Sequence, residues 1–326
     1  MRLPRPRTRR LRIVVAVALG LLLTLLVVNW TWGRLPAEPA RSGTTARVGE
    51  VDLRWIEHDP PAAGAPAVLL LHGLPGTAED LEQVAKLLPA YRTIAVDRPG
   101  YGFSSGGHHD VDAQLDTLTA LLDRERIDQA IVVGHSYGGT LALALAERAP
   151  ERVRALVLVD AAAAGDSTAA ADRAQARFVQ ALSLPLVQPL SDLVFGSAVR
   201  KLSAQQGARN AFAPDPVDPA YEHRLLSETM RHEDLDAYAG ELLKLDDTID
   251  VVDAGLARVN APAVVIQARD DGLVAPAVGA RLARGLPRAR LVTVPGGHMV
   301  PLVHPAVVAE AVRACAAGCG TNKSAR

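Results

Sequence analysis

The chain is poor in cysteine, in aromatic residues and in net charge, and each shortage narrows the possible functions. Only two of its 326 residues are cysteines, and only 4% are Phe, Trp or Tyr. The 35 basic and 36 acidic side chains leave a formal net charge of -1. Proteins that bind nucleic acid usually carry a basic excess, which this chain lacks. We therefore expect no nucleic-acid partner.

The two cysteines, Cys315 and Cys319, stand four residues apart near the C-terminus. The chain therefore has no Cys-x-x-Cys pair of the kind that binds metals. A four-residue spacing on a helix is poor disulfide geometry, so a bridge in an oxidising compartment would require a frayed helix end. We expect no functional role for either cysteine. Nothing else in the sequence implies a metal or a cofactor.

One long hydrophobic run is present, and it lies near the N-terminus. Arginines are frequent among residues 1–12, whereas residues 13–28 carry no charge. With the residues up to 32 the run reaches about 20 residues, enough for a helix to span a bilayer. Trp30 and Trp32 stand where an interfacial aromatic belt is expected. The pattern predicts a transmembrane helix over residues 13–32.

The arginines favour a cytoplasmic position for residues 1–12, which would leave the bulk of the chain on the extracytoplasmic side. We interpret the run as an uncleaved signal anchor of a single-pass cell-membrane protein. The alternative is a signal peptide that is removed before secretion. The bulky side chains of Trp30 and Trp32 occupy the place of the small residues that cleavage needs, which favours the anchor. Residues 33–46, rich in proline and small residues, are typical of a linker.

From residue 47 onward, predicted strands and helices alternate. An opening strand pair is predicted over residues 48–57, and further strands at residues 67–71, 93–96, 130–133, 155–159, 263–267 and 291–294. Helices are predicted between them, and a last helix over residues 305–315. The alternation indicates an α/β domain with a mostly parallel sheet over residues 47–316, followed by a flexible tail over residues 317–326.

Residues 163–250 interrupt this alternation. Two helix-forming segments, residues 169–182 and 221–245, are separated by a proline-rich stretch. We interpret the region as a helical cap inserted over the site, with ordinary peripheral helices as the alternative. Five apolar residues of the cap would either line a pocket for an apolar acyl or alkyl group or pack the cap onto the core: Leu182, Leu184, Leu186, Leu190 and Phe195.

A serine stands between a predicted strand and a predicted helix, in the pattern Gly134-x-Ser136-x-Gly138. Small flanking residues permit a sharp turn and strained dihedral angles, so that the hydroxyl of Ser136 projects from the sheet edge. The N–H group of Tyr137, at the start of the helix, is free to receive an oxyanion. The pattern favours a nucleophilic serine.

Five motifs in the expected order make residues 47–316 resemble the α/β-hydrolase fold superfamily, in its serine-nucleophile, lid-containing branch. The motifs are His72-Gly73-Leu74-Pro75-Gly76, Asp97-Arg98-Pro99-Gly100-Tyr101-Gly102, Gly134-His135-Ser136-Tyr137-Gly138-Gly139, Asp270-Asp271-Gly272-Leu273-Val274 and Gly296-Gly297-His298. Together they are specific for the fold and much less specific for the substrate.

The resemblance implies a catalytic triad in the chain order serine, acid, histidine. A serine needs a nearby base, a histidine titrates near neutral pH, and a carboxylate fixes its tautomer. His298, in a Gly-Gly-His loop, is the expected base for Ser136. The family pattern Asp-x-x-Val selects Asp271 as the acid. Asp270 remains the alternative, and Asp160, after the preceding strand, is a more distant one.

The resemblance also implies an oxyanion hole made by the backbone N–H groups of Leu74 and Tyr137. It assigns His72 a structural role beneath the oxyanion loop, and we expect the same of Asp97 and Arg98.

Three further histidines receive no catalytic role. His135, at the variable position of the elbow, is expected to pack away from the attacking face. His108 and His109, beside Asp110, are interpreted as a polar loop rather than as metal ligands.

We therefore expect a serine hydrolase that cleaves a small-molecule ester or related acyl bond through an acyl-enzyme, in the manner of a carboxylesterase or lipase. Ser136 argues against haloalkane dehalogenases and epoxide hydrolases, whose elbow nucleophile is an aspartate. The alternatives are a carbon–carbon bond hydrolase, a proline iminopeptidase-like enzyme and a cofactor-free haloperoxidase-like enzyme. An alternative of another class is a non-catalytic binding protein with this fold.

Overall fold

The computed structural model describes residues 7–40, 42–58, 64, 66–106, 110–163, 170–182, 184, 186–229 and 232–319. Eight strands form one sheet: β1 (Thr44–Val48), β2 (Val51–His58), β3 (Ala67–Leu71), β4 (Arg92–Asp97), β5 (Ala130–His135), β6 (Val153–Val159), β7 (Ala263–Ala268) and β8 (Ala289–Val294). The strand order is β1-β2-β4-β3-β5-β6-β7-β8. β2 pairs antiparallel with β1 and β4, and every other pair is parallel. The predicted mostly parallel α/β sheet is confirmed.

The helices of the described residues follow in chain order. They are α1 (Arg7–Trp32), α2 (Glu82–Lys86), α3 (Val111–Arg124), α4 (Tyr137–Arg148), α5 (Ala170–Leu182), α6 (Gln188–Ser191), α7 (Ser197–Phe212), α8 (Pro219–Glu228), α9 (His232–Gly255), α10 (Pro276–Gly285), α11 (Val300–Val303) and α12 (Pro305–Ala316). Short 3-10 turns cover Ala78–Leu81, Pro150–Arg152 and Leu256–Arg258, and a π-helical turn covers Asp192–Gly196.

The central strands are buried on both faces, as their unbroken apolar runs predict. Because side chains alternate along a strand, each central strand contributes to two core layers. In β5, Val132 belongs to the layer under α3 and α4, whereas Ile131 and Val133 belong to the layer under α2 and α12. The sheet is therefore held between two apolar layers. The polar motifs lie at the carboxyl ends of its strands.

Helices α5 to α9, here called the inserted helices, lie between β6 and β7 in the chain. The sequence predicts α5 and one helical segment over residues 221–245, where the structure has the two helices α8 and α9. It does not predict α6 and α7. α7 has no clear apolar stripe, because its buried side chains are mainly the small Ala198, Ala204, Ala208 and Ala211. Helical periodicity is hard to read when alanine is the buried residue.

Three of the four leucines expected to line a pocket or to pack against the core are largely exposed. Leu184 is 55% exposed, Leu186 94% and Leu190 64%. Leu182 is half-buried, and the side chain of Phe195 lies outside the described part of the chain. The expectation was wrong for the three exposed leucines, because apolar composition alone does not specify which surface a side chain faces.

At the N-terminus, α1 includes a segment, Arg10–Trp32, that is long and apolar enough to cross a membrane. None of the most hydrophobic stretch of this segment is buried in the protein. The length and composition of this segment fit either a membrane anchor or a signal sequence.

Candidate active site

Ser136 occupies a strained turn between β5 and α4. Its backbone angles are φ 53° and ψ -122°, a region that residues other than glycine rarely adopt. The turn is held by hydrogen bonds from the Ser136 N–H to the Val159 carbonyl, at 2.9 Å, and from the Gly139 N–H to the Ser136 carbonyl, at 2.8 Å. Such strain costs on the order of 1–3 kcal/mol and is concentrated at functional sites. The turn presents the serine at the carboxyl end of β5.

Close backbone packing explains the two glycines around Ser136. A Cβ atom at Gly134 would lie 2.3 Å from the Gly138 carbonyl oxygen. A Cβ atom at Gly138 would lie 2.3 Å from the carbonyl oxygen of Leu71, at the end of β3. Any larger residue at either position would push α4 away from the sheet. The Gly-x-Ser-x-Gly pattern therefore follows from the contact between β5, α4 and β3.

A histidine and a carboxylate are paired at the same edge of the sheet. Nδ1 of His298 lies 2.8 Å from Oδ2 of Asp271, and both side chains are buried. The other carboxylate oxygen, Oδ1, accepts hydrogen bonds from the N–H groups of Leu273, at 2.8 Å, and Val274, at 2.9 Å. The Asp-x-x-Val spacing thus has a physical meaning, because the amide of the valine fixes the carboxylate.

Opposing effects act on the pKa of Asp271. Burial alone would raise the pKa, but the charge and the hydrogen bond of His298, with the N–H groups of Val274 and Leu273, lower it below its ordinary value. Asp271 is therefore ionised at neutral pH and can fix the proton of His298 on Nδ1. Nε2 is then the nitrogen that can accept a proton.

The neighbouring Asp270 is placed differently. It is exposed, and its carboxylate accepts a hydrogen bond from the Gly296 N–H at 3.2 Å. Asp270 therefore ties together the two loops that carry Asp271 and His298. Of the two candidate acids, the structure brings Asp271 to His298.

The predicted oxyanion donors lie on two segments that approach Ser136. Tyr137 is the first residue of α4, so its N–H group is one of the free donors at a helix start. The loop that carries Leu74 lies against the serine, since a Cβ atom at Gly73 would be 3.1 Å from the Cβ atom of Ser136. The arrangement is suited to an oxyanion formed on a carbonyl attacked by Ser136.

A buried arginine braces this loop. Nη2 of Arg98 donates to the Gly73 carbonyl at 2.8 Å, and Nη1 donates to Oε1 of Glu241 at 2.6 Å. The guanidinium also lies over the ring of Tyr137, 4.9 Å from its centroid. One side chain thus contacts both segments that carry the predicted oxyanion donors. Glu241 comes from α9, 143 residues away in the chain, and no motif or spacing predicts this pairing.

We expect Glu241→Leu to destabilise the protein by about 3–5 kcal/mol, because it leaves the buried charge of Arg98 without an opposite charge. Urea unfolding of the purified variant measures this loss. The double variant Arg98→Met, Glu241→Leu should recover much of the stability, since the orphaned charge is removed. Glu82→Ala breaks the partly exposed pair of Glu82 and Lys86 and should cost less than about 1 kcal/mol. Equal losses in the two single variants would contradict this account.

His72 binds backbone groups. Its Nε2 accepts a hydrogen bond from the Arg98 N–H at 3.0 Å, and its Nδ1 lies 2.9 Å from the Gly73 carbonyl. Burial and the charge of Arg98 lower the pKa of His72 well below its ordinary value. A neutral His72 that donates from Nδ1 satisfies both contacts, in keeping with a structural role in the oxyanion loop.

His135 supports the loop that carries His298. Its Nε2 lies 2.9 Å from the His298 carbonyl oxygen, and the two rings lie 4.8 Å apart. Burial and the nearby charge of His298 lower the pKa of His135 to about 3, so the ring is neutral and donates to that carbonyl. The sequence places His135 away from the attacking face, but this contact with His298 could not be read from it.

Asp160 is a second buried carboxylate near His298. Its Oδ1 accepts hydrogen bonds from the Ala268 N–H at 2.7 Å and from Nε2 of Gln267 at 3.0 Å. Its Oδ2 is buried without a hydrogen-bond partner among the described residues. Burial, the main cause, and the charge of Asp271 raise the pKa of Asp160 to about 7, although His298 opposes the shift.

Asp160, His135 and His298 offer three possible metal ligands within 4.8 Å of one another. One nitrogen of each histidine already bonds to protein, Nδ1 of His298 to Asp271 and Nε2 of His135 to the His298 carbonyl. A metal ion there would have to use the remaining nitrogens, including the one expected to serve as a base. His108 and His109 lie outside the described residues.

Because the pKa of Asp160 is raised, we expect the free energy of unfolding to fall as the pH rises. The folded protein holds this proton up to about pH 7, whereas the unfolded chain releases it near pH 4, so folding is favoured most at low pH. Relative to wild type, Asp160→Asn should gain on the order of 2–4 kcal/mol in unfolding free energy between pH 4 and pH 8. Urea unfolding across this range, with exposed Asp236→Asn as the control, measures the difference. A difference independent of pH would contradict the assignment.

Comparisons with known proteins show which family this chain belongs to. The model of the alpha/beta hydrolase fold family matches residues 66–305. Two curated relatives are 2-hydroxy-6-oxononadienedioate/2-hydroxy-6-oxononatrienedioate hydrolases. The one from Cupriavidus pinatubonensis is 28% identical over 76% of this chain and 84% of its own length. The one from Paraburkholderia phymatum is 30% identical over 74% of this chain and 83% of its own length.

Solved structures share the fold. A hydrolase from Pseudomonas aeruginosa PA01 superposes with a TM-score of 0.70 at 24% identity, covering 85% of this chain and 99% of the other. The family match covers most of the chain, and the predicted motifs lie at the carboxyl ends of the strands. The protein therefore belongs to the alpha/beta hydrolase fold family and is an α/β-hydrolase enzyme.

Proposed function

We propose that the enzyme hydrolyses a bond next to a carbonyl group, with Ser136 as the nucleophile, His298 as the base and Asp271 as the acid that orients it. The observation that supports this assignment best is the 2.8 Å contact between His298 and Asp271, at the sheet edge where the strained Ser136 turn also lies. The backbone N–H groups of Leu74 and Tyr137 are the proposed oxyanion donors.

The proposed chemistry has two halves. Nε2 of His298 takes the proton of Ser136 as its Oγ bonds to the carbonyl carbon, and the resulting oxyanion lies between the two N–H groups. When the tetrahedral intermediate collapses, the bond to the leaving group breaks, its electron pair stays with that group, and His298 returns the proton to it. Water, deprotonated by His298, then releases the acyl group from Ser136.

A carbon–carbon bond is our first candidate for the bond that is broken. The substrate named for the two relatives contains a ketone and carboxylates but no ester or amide, so its hydrolysis has to break a carbon–carbon bond beside the ketone. The leaving carbon is stabilised as an extended enolate. The same triad and oxyanion hole serve such a ketone, provided that His298 protonates carbon. The comparisons thus favour this alternative over the ester cleavage that the motifs first indicate.

One cation beside the site is already engaged by a protein carboxylate. Arg98, which braces the oxyanion loop, is fully buried and paired with Glu241. It is therefore not expected to bind a substrate carboxylate. Ester hydrolysis is the second candidate, favoured by the exposed apolar side chains of Leu184, Leu186 and Leu190, which suit an enzyme that works near lipid.

A substrate panel separates the two candidates. We expect purified full-length enzyme to cleave a 2-hydroxy-6-oxo-dienoate with a higher kcat/KM than p-nitrophenyl esters of graded length. Cleavage shortens the conjugated system of the dienoate, so loss of its absorbance measures the reaction. Ester cleavage without bleaching would establish the second candidate. Failure of both substrates with folded protein would overturn both candidates.

We also propose that α1 is an uncleaved membrane anchor and that the hydrolase domain, residues 47–316, lies on the extracytoplasmic side with the inserted helices as its cap. The basic residues before the span and the tryptophans at its end support this orientation. A reporter active only outside the cytoplasm, fused after residue 45, should be active, and a reporter active only inside the cytoplasm, fused at the same place, should not. The opposite pair of results would reverse the orientation.

A further inference from the structure

The end of α1 is bonded to the inserted helices through one amide. Nδ2 of Asn29 donates to the carbonyl oxygens of Asp192, at 2.6 Å, and Leu193, at 3.1 Å. Oδ1 of Asn29 accepts from the Ala198 N–H at 3.0 Å. The polar side chain of an apolar helix is thereby satisfied by one short segment, which fixes the position of that segment against α1.

The contact coincides with the π-helical turn Asp192–Gly196. In a π-helix the carbonyl of Leu193 would pair with the N–H of Ala198, five residues on. Asn29 lies between these two groups, accepting from one and donating to the other. The side chain of Asn29 thus replaces one backbone hydrogen bond of the π-helical turn, and it joins this turn to the end of α1.

Five apolar side chains between residues 184 and 193, in the segment that leads into this contact, are exposed, and we call them the leucine edge. Their exposures are Leu184 55%, Leu186 94%, Val187 39%, Leu190 64% and Leu193 63%. A single exposed leucine is ordinary, but exposed apolar side chains concentrated in one short segment are typical of an interaction surface. The leucine edge meets α1 at a groove, where Leu193 faces Leu26 and Trp30.

The groups around the end of α1 are those expected at a lipid headgroup layer. The guanidinium of Arg34 lies 4.6 Å from the ring centroid of Trp30. Nζ of Lys201 lies 5.3 Å from the ring of Trp32 and donates to the Trp32 carbonyl at 3.2 Å. Tryptophans and cations of this kind mark membrane–water interfaces. Asn29 precedes Trp30 and Trp32 by less than one helical turn, and it bonds to the Leu193 carbonyl. Leu193 is therefore held at the same height along α1 as these interfacial groups.

We propose that the leucine edge is inserted into the surface of the bilayer that α1 spans, so that phospholipid covers it. The proposal rests on α1 being the membrane anchor. The surface is continuous with a helix that is itself lipid-exposed, and Arg34 and Lys201 complement anionic headgroups. A substrate dissolved in lipid would then meet the enzyme at the inserted helices, which also hold the oxyanion loop through Glu241.

Depth-dependent fluorescence quenching tests this placement. Full-length protein with Cys315→Ala and Cys319→Ser carries a single environment-sensitive nitrobenzoxadiazole label at Leu186→Cys or Leu190→Cys. The control label is at Gln129→Cys, an exposed site just before β5, at the opposite end of that strand from Ser136. The protein is reconstituted into vesicles of phosphatidylcholine and phosphatidylglycerol that contain lipids with nitroxide at a shallow or a deep acyl position. Flotation of the vesicles reports the anchor separately.

We expect both edge labels to be blue-shifted and to be quenched more by the shallow than by the deep nitroxide, because an interfacial apolar face lies about 5–10 Å deep. The label at residue 129 should show neither effect. If the protein floats with the vesicles but its edge labels behave like the control label, the leucine-edge proposal is overturned and the anchor proposal still holds. A blue shift without quenching by lipid would overturn it in favour of a second copy. Protein that fails to float would overturn the anchor and the leucine-edge proposal together.

Discussion

Ser136→Ala should lower kcat by about 10⁴–10⁶-fold while leaving the protein folded. The proposed reaction needs the Ser136 oxygen to bond to substrate carbon, and alanine offers no atom that can do so. Ser136 is only partly buried, and the flanking Gly134 and Gly138 that permit the turn are unchanged. Steady-state turnover on whichever substrate the panel identifies measures the effect, and thermal melting checks the fold.

The matched control is Ser203→Ala, which removes an exposed hydroxyl on α7. It should retain full turnover. Substantial turnover by purified Ser136→Ala would contradict the assignment of the nucleophile, whatever the substrate. Unchanged melting together with lost turnover separates a chemical role from a structural one.

Asp271→Asn should lower kcat by roughly 10⁴-fold with little loss of stability. An asparagine oxygen can still accept from the N–H groups of Leu273 and Val274, as Oδ1 of Asp271 does. Its amide then donates to Nδ1 of His298, which forces the ring proton onto Nε2. A ring with its proton on Nε2 cannot take the proton of Ser136. Kinetics of the purified variant, compared with wild type, measure the loss.

Asp270→Asn is the control for this experiment because it changes the adjacent carboxylate in the same way. Asp270 is exposed and bonds to the Gly296 N–H, so its variant should lose less than about tenfold in kcat. The opposite ranking of the two variants would assign the acid to Asp270. Similar large losses in both would mean that the charge of the loop matters more than the hydrogen bond to His298.

Local pattern was enough to predict much of the fold. The strands β3, β5, β6 and β7 each contain an apolar run of four or five residues, because helices cover both faces of the sheet. Their positions in the chain follow from these runs and from the turn residues between them. The placement of Asp271 rather than Asp270 beside His298 also has a local cause, since the carboxylate is fixed by amides two and three residues later.

Contacts between distant segments could not be predicted in this way. Glu241 meets Arg98 across 143 residues, and Asn29 meets Asp192 across 163, so neither pair leaves a spacing signal. The exposed leucines show the same limit, because an apolar residue can face a core, a pocket or a membrane. Asp160 is a related case, since its raised pKa depends on burial that the sequence does not display.

The proposed mechanism requires an activated serine at residue 136. Full-length protein is treated with a fluorophosphonate probe, which reacts with activated serine hydroxyls, and the adduct is mapped by peptide mass spectrometry. The account predicts one adduct, on Ser136, that disappears in His298→Ala while the melting temperature is unchanged. Folded protein that carries no adduct, or an adduct on another serine, would contradict it.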